Sequence, residues 1–511
     1  MPVMDDDDDM MLHLHVERLA RRLTQRQQDA AVTEQHRIMM NTHRVSRVPG
    51  HIRTLNPDAY TPGLVAIGPL HARDAERRLR QGNQLKLAYL NSLISRGHPD
   101  DSRHLALAVI KDYVRLVAAR EWEARAMYAA EDVDDLSTED FIEMLVLDGC
   151  FIIEHLVNVA TGKEEQWLHA TPFGPAQLSV DLVLAENQIP FFVLVDLITS
   201  TRLPEFDSLG YDPPVLLMKL VLFYLGGELG RDMTEALPPA NAVCHILHLV
   251  HAMVTAARTR WEPPPRIHAG GVLMEKMQEA ARLLRRLLLL LLVLLLYPTL
   301  PEESRWSARY GPEVLPSARD LKRMLLRFTK SPGNPSKAVA GIASVLGHVP
   351  LATKLAHQDL LLLPQLRIEF GTAALLLNLM AYEQSAEQRA GDVSAYVWFM
   401  SKLVQSSEDA TVLMAADVVR SGTSGREGME EVARFFQQVG TASEAAAELD
   451  KSYLGEMLQK LRERSQYPLL MKLADVKRYY VNVPWLLVAF VTVVTTVATV
   501  LQIFAPFKQK P

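Results

Sequence analysis

Residues 181–194, DLVLAENQIPFFVL, set Glu186, Asn187 and Gln188 between apolar runs, with Pro190 two places further on. A carboxylate in such surroundings can do chemistry, because burial raises its pKa towards the range of a general base. It would need partners, and the candidates are Asp148, Glu154, His71 and Glu383. The same three residues also have a structural use. Pro190 pushes Ile189 away from the α region, so a helix or strand stops near here. The two amides and the carboxylate can then pair backbone groups stranded at the chain break. This scaffold reading of Glu186, Asn187, Gln188 and Pro190 gives each residue type a reason and is preferred. The alternative is an enzyme with a carboxylate pocket around Glu186 and Asp148.

Other groups could also do chemistry. His245, His248 and His251 stand at i, i+3, i+6, an arc of about 120° on a helix, from which imidazoles could ligate a metal. The pattern lacks the His pair with an intervening Glu that marks metalloproteases. Its neighbours Ile246, Leu247, Leu249 and Val250 suggest a packed helix, so no metal is assigned. Cys150 follows Asp148-Gly149, but no neighbouring His marks it as a nucleophile. With Cys244 it completes the cysteine count, too few for a disulfide framework; both are read as free thiols of a reducing compartment. No phosphate loop and no Gly-x-Ser-x-Gly elbow occurs, so no cofactor and no catalytic residue is assigned.

The elements that must position these residues are mainly α. Apolar spacing of helical period recurs in 141–156, 215–225, 241–257 and 392–405. Leu454, Met457, Leu458 and Leu461 form the stripe of a further amphipathic helix, and Thr441 with Glu444 has the spacing of a capping box ahead of it. Alternating β patterns are scarce. The fold class expected is one large helical domain followed by a single C-terminal transmembrane helix.

Two apolar runs set the relation to a membrane. Residues 287–297, LLLLLLVLLLY, cover about 16 Å as a helix, half of a hydrocarbon core of about 30 Å. They are expected to be buried in protein. Residues 485–504, WLLVAFVTVVTTVATVLQIF, carry no charge over about the twenty positions a bilayer requires. Trp485 and Phe504 bound this span, with Lys472, Lys477 and Arg478 before it and Lys508 and Lys510 after it.

The chain divides accordingly. Residues 1–47 form a polar extension with the acidic run Asp5 to Asp9, 48–480 the helical body with a leucine-rich connector at about 260–312, and 505–511 a short tail. The 511 residues carry a net charge of −6, which gives no basic footprint for nucleic acid. The acidic start is the wrong charge for a signal peptide, and no Asn-x-Ser/Thr acceptor with a permitted middle residue occurs. The body is therefore expected on the cytosolic side of its membrane, inserted after synthesis by the late span.

Several blocks together resemble the plant domain-of-unknown-function family 247. They include NPDAYTPGLVAIGPLH (56–71), MLVLDGCFIIE (144–154), DLVLAENQIPFFVL, HILHLVH (245–251), LPSARDLKRMLLRF (315–328), LLNLMAYEQ (376–384) and VSAYVWFMSKLVQSSEDATVL (393–413), ahead of the terminal apolar run. Ala185 departs from the family's usual leucine before the Glu-Asn-Gln trio. The resemblance implies a largely helical, single-pass plant membrane protein, with the plasma membrane as one possible location. It implies no established catalytic activity. Association of some grass members with self-incompatibility loci implies recognition or signalling. The partners expected are the lipid bilayer and an unidentified protein or peptide.

Overall fold

The computed structural model describes residues 45–72, 79–97, 103–163, 174–232, 237–256, 287–300 apart from 289 and 292, 314–330, 353–385 apart from 357 and 358, 391–443 and 452–480. The expected span 485–504, with Trp485 and Phe504, lies outside these residues, as do most of the N-terminal extension and the tail. The body is mostly α-helical. Its contacts gather it into two compact units, the first comprising Met1–Tyr224, Leu237–Val250 and Ala381–Arg389, and the second the remainder.

The first unit contains helices α1 (Arg80–Gly97), α2 (Arg103–Ala119), α3 (Thr138–Thr161), α4 (Gly174–Asp181) and α5 (Phe191–Ser200), and parts of α6 (Pro213–Asp232) and α7 (Ile246–Ala256). Its centre is α3. Ser137 Oγ accepts the Asp140 N–H at 3.0 Å, and Glu139 and Asp140 add negative charge where the helix dipole is positive. Gly162, at φ 67°, ends the helix in the left-handed conformation, and Lys163 N–H closes back onto Asn158 O at 2.8 Å.

By length and composition α3 could cross a membrane, but 72% of its most apolar stretch is buried inside the protein. It also carries two internally paired carboxylates, Asp148 and Glu154. Both features are those of a core helix. It packs against α1, α2 and α5. A methyl group on Gly149 would stand 2.4 Å from Leu197 Cδ1, so the absence of a side chain there lets α3 and α5 approach.

The second unit adds α8 (Ala318–Arg323), β1 (Arg327–Lys330), β2 (Lys354–Ala356), β3 (Leu360–Leu363), β4 (Leu366–Ile368), much of α9 (Thr372–Gln384), α10 (Asp392–Leu403), α11 (Ser407–Ala415), β5 (Val419–Ser421), α12 (Gly425–Ser443), α13 (Gly455–Ser465) and α14 (Pro468–Tyr480). One sheet has the order β1-β3-β2, with β1 parallel to β3 (Arg327 opposite Leu360) and β2 antiparallel to it; a second pairs β4 and β5 in parallel. Strands of three or four residues leave the class mainly α.

The leucine stripe is present on α13, where Met457, Leu458 and Leu461 are buried. The capping box is not. Thr441 lies inside α12, its hydroxyl donating to Gln438 O at 2.8 Å, because the apolar face of α12 (Val432, Phe436, Val439) carries the helix past it. Glu444 lies outside the described residues. The leucine run also departs from expectation. Its described residues are helical, yet Leu287, Leu290, Leu291, Leu294 and Leu295 are between 39% and 62% exposed, and only Val293 is buried. Among the described residues, Val293 marks the buried face and the five leucines the exposed one.

The Gly149 contact is testable. Gly149→Ala is expected to cost about 1–3 kcal/mol through overpacking. Leu197→Ala in the same chain should recover part of that loss by removing the clashing methyl groups, so a double-mutant cycle in denaturant should be non-additive. Strict additivity would place the tight contact elsewhere.

Candidate functional site

Residues 63–68, Gly-Leu-Val-Ala-Ile-Gly, belong to no helix or strand, yet Val65, Ala66 and Ile67 are buried. A buried backbone without a neighbouring strand must find its hydrogen bonds elsewhere. Side chains supply them. Asp181, at the end of α4, accepts the N–H groups of Gly63 (2.9 Å), Leu64 (2.7 Å) and Val65 (2.9 Å). Asn187 accepts from Ile67 N–H at 2.7 Å and donates to Val65 O at 3.0 Å, presenting the donor and acceptor that a paired strand would present. Asp148 accepts Gly68 N–H at 2.7 Å, and Lys86 Nζ donates to Ala66 O at 2.7 Å. Gly68 has φ +75°, and a side chain there would meet Gln188 O at 2.5 Å.

The Glu-Asn-Gln trio sits in the link between α4 and α5, and Pro190 stands immediately ahead of α5 as its N-cap. Glu186 accepts Val48 N–H at 2.6 Å, pairs with Arg53 and faces His71 Nε2 at 3.4 Å. Gln188 donates to Leu182 O (2.8 Å) and Leu184 O (2.9 Å) and accepts Leu247 N–H (3.1 Å), satisfying one of the unpaired donors at the start of α7. Its own carbonyl accepts the Tyr128 hydroxyl at 2.9 Å. Burial raises the Glu186 carboxyl, but donors from His71, Arg53 and Val48 outweigh it and hold the group below the ordinary range. For Asp148 burial wins over Lys86, 2.5 Å away, and the Gly68 amide, and its carboxyl lies above that range.

The remaining sequence candidates fall apart in space or in role. Glu154 receives Arg96 (2.6 Å) and Ser92 (2.5 Å), and Arg96 also binds Asn158 and Glu205, a separate buried network joining α1 to α3. Glu383 is buried on α9. Cys150 is buried and its thiol is pushed up by burial and by Glu154, the opposite of an activated nucleophile.

His248 Nδ1 accepts Cys244 N–H and His245 Nδ1 accepts His248 N–H, both at 3.2 Å, and both rings lie against Tyr382. Those nitrogens are occupied by backbone donors. Among the described residues no group of three or more His, Cys, Asp or Glu side chains is placed to hold a metal ion, and His251 does not complete one. A hollow lined by Val48, Ala185, His245 and Tyr382 has a cavity volume of about 10 Å³, room for roughly one water.

Asp181, Lys86, Arg53 and Arg96 were not singled out from sequence. Asp181 had a visible signal, since it opens the quoted stretch as a lone charge before Leu-Val-Leu.

Residues 45–499 match the profile of the plant DUF247 family, described as plant protein of unknown function. The chain belongs to this family. It is also similar to UPF0481 protein At3g47200 of Arabidopsis thaliana, 24% identical over 436 residues, which cover 82% of this chain and 76% of that protein. Putative UPF0481 protein At3g02645 of the same plant is 28% identical over 164 residues, 32% of this chain and 28% of that protein. No solved structure matches the chain. The trio, part of one of the several blocks that together resemble DUF247, is also where much of the first unit's buried hydrogen bonding converges.

Two outcomes follow for the site. The folded pKa of Glu186 is depressed, so its stabilisation is complete above the unfolded value of about 4.3 and is lost as pH falls through the folded value. Glu186→Ala is expected to cost on the order of 1–3 kcal/mol near neutral pH. In acid unfolding curves the difference from wild type should shrink below about pH 4.3, and a gap that widens there would contradict the assignment. Gly68→Ala is expected to cost about 2–4 kcal/mol from its backbone conformation and its clash combined. Thermal melts should therefore rank it well below Gly162→Ala, whose added methyl meets nothing within 4 Å.

Proposed function

We propose that this DUF247 protein is a membrane-anchored plant protein that works by recognition or signalling through a protein or peptide partner, and not by catalysis. The observation that carries the reading is the state of its carboxylates. Glu186, Asp148, Asp181 and Glu154 each already hold internal donors, and a general base needs a lone pair facing a substrate. Glu186, Asn187, Gln188 and Pro190 act on this reading as a structural motif. The apolar run 485–504 is the anchor, by its length and lack of charge. The free thiols Cys150 and Cys244 suit a body on the cytosolic side, with the plasma membrane the first to examine.

The test uses the full chain in sealed microsomes from plant cells. The protein is expected to stay in the pellet after alkaline extraction, and its body should be digested by external protease. Release into the alkaline supernatant would remove the anchor, and full protection of the body would reverse the orientation. The enzyme alternative, a pocket at Glu186 and Asp148, would gain if Glu186→Gln abolished an activity of the purified protein while leaving its melting temperature unchanged.

A further inference from the structure

The leucine run was expected inside the protein, and its outward face is instead exposed. Leu287, Leu290, Leu291, Leu294 and Leu295 stand at i, i+3, i+4, i+7 and i+8, a continuous stripe on one side of a helix. Five neighbouring exposed leucines form a contiguous apolar strip, which soluble surfaces rarely carry without a partner. We propose that this strip is a second membrane contact, lying flat in the lipid interface beside the anchor. The inference rests on the anchored reading given above.

The position of the strip identifies the occupant. The run ends at Tyr297, and Lys472 of α14 lies over that ring, 5.2 Å from its centroid. On α14, Lys472 is about 12 Å along the helix axis from Tyr480, where the described chain stops. The uncharged run begins at Trp485, and the intervening residues reach at most about 17 Å. The start of the uncharged run is thus held by chain length to within about 35 Å of the end of the leucine strip.

Length and charge fit the same occupant. From Leu287 to Leu295 the strip is about 12 Å long, too short to cross a core of about 30 Å but sufficient to lie along its surface. Basic residues accompany it, with Arg285 and Arg286 preceding it in sequence and Lys472 of α14 against its last ring. Such residues attract anionic headgroups while the leucines enter the acyl boundary. Tyr479, 45% exposed near the end of α14, is a residue type that settles at headgroup depth.

The experiment reconstitutes the full chain in phosphatidylcholine vesicles containing phosphatidylserine. A polarity-sensitive fluorophore is attached at Leu291→Cys in a Cys244→Ser background, Cys150 being buried. Flotation reports whether the chain is anchored at all. On floated protein, lipids carrying a nitroxide near the headgroup should remove most of the emission, lipids carrying it near the chain end should remove less, and aqueous iodide should have little effect. A floated chain whose label is quenched by iodide and not by nitroxide lipid keeps its anchor and overturns the second contact. Protection from both quenchers that disappears on dilution of protein in lipid would put a second copy on the strip, and also overturns it. Failure to float defeats the anchored reading and this inference together.

Discussion

A buried peptide group must be paired, and in this protein that rule bears hardest on residues 63–68. They run through the core of a helical unit without a strand beside them. Asp181, Asn187, Asp148 and Lys86 take the place of the missing strand, each reaching the segment from a different element. The positions of α1, α3 and the α4–α5 link are therefore set relative to one another by a single stretch of irregular chain. Gly68 and Gly82 keep that stretch close to its neighbours, since a side chain at either would press on a carbonyl oxygen.

The electrostatics follow from the same arrangement. A buried carboxylate is tolerable when its charge is met by donors of fixed position, and each of these meets its own set. Glu186 has Arg53 and His71, Asp148 has Lys86, Glu154 has Arg96, and Asp181 has three consecutive peptide N–H groups with the amide of Gln177. Two carboxylates that shared one proton would be a catalytic signature. Carboxylates that each own a separate partner are a frame.

Much of the secondary structure was legible because it repeats. The apolar spacings at 141–156, 215–225 and 392–405 fall on α3, α6 and α10, and the stripe ending at Leu461 falls on α13. Pro190 marked a real boundary, since backbone geometry before proline is a local property. What failed was non-local. Thr441 and Glu444 have cap spacing, but packing of Val439 extends α12 beyond that point. The leucine run looks buried from composition alone, and nothing in its own residues says that one face is buried at Val293 and the other exposed. Asp181 and Lys86 escaped notice because the groups they serve lie 116–118 and 20 positions away, and spacing within a window of one helix carries no record of that.

The hydrogen bond from Val48 to Glu186 joins residues 138 positions apart, and that from Val65 to Asp181 joins residues 116 apart. At a synthesis rate of about 5–20 residues per second, the ribosome needs roughly 7–30 s to deliver Glu186 after Val48 has been made. During that interval the apolar Val65-Ala66-Ile67 backbone has been translated but lacks the groups that complete it. Gln188 then waits in turn for Leu247, 59 residues later. The first unit therefore cannot close in the order in which it is written, because its earliest segment waits for groups made more than a hundred residues later.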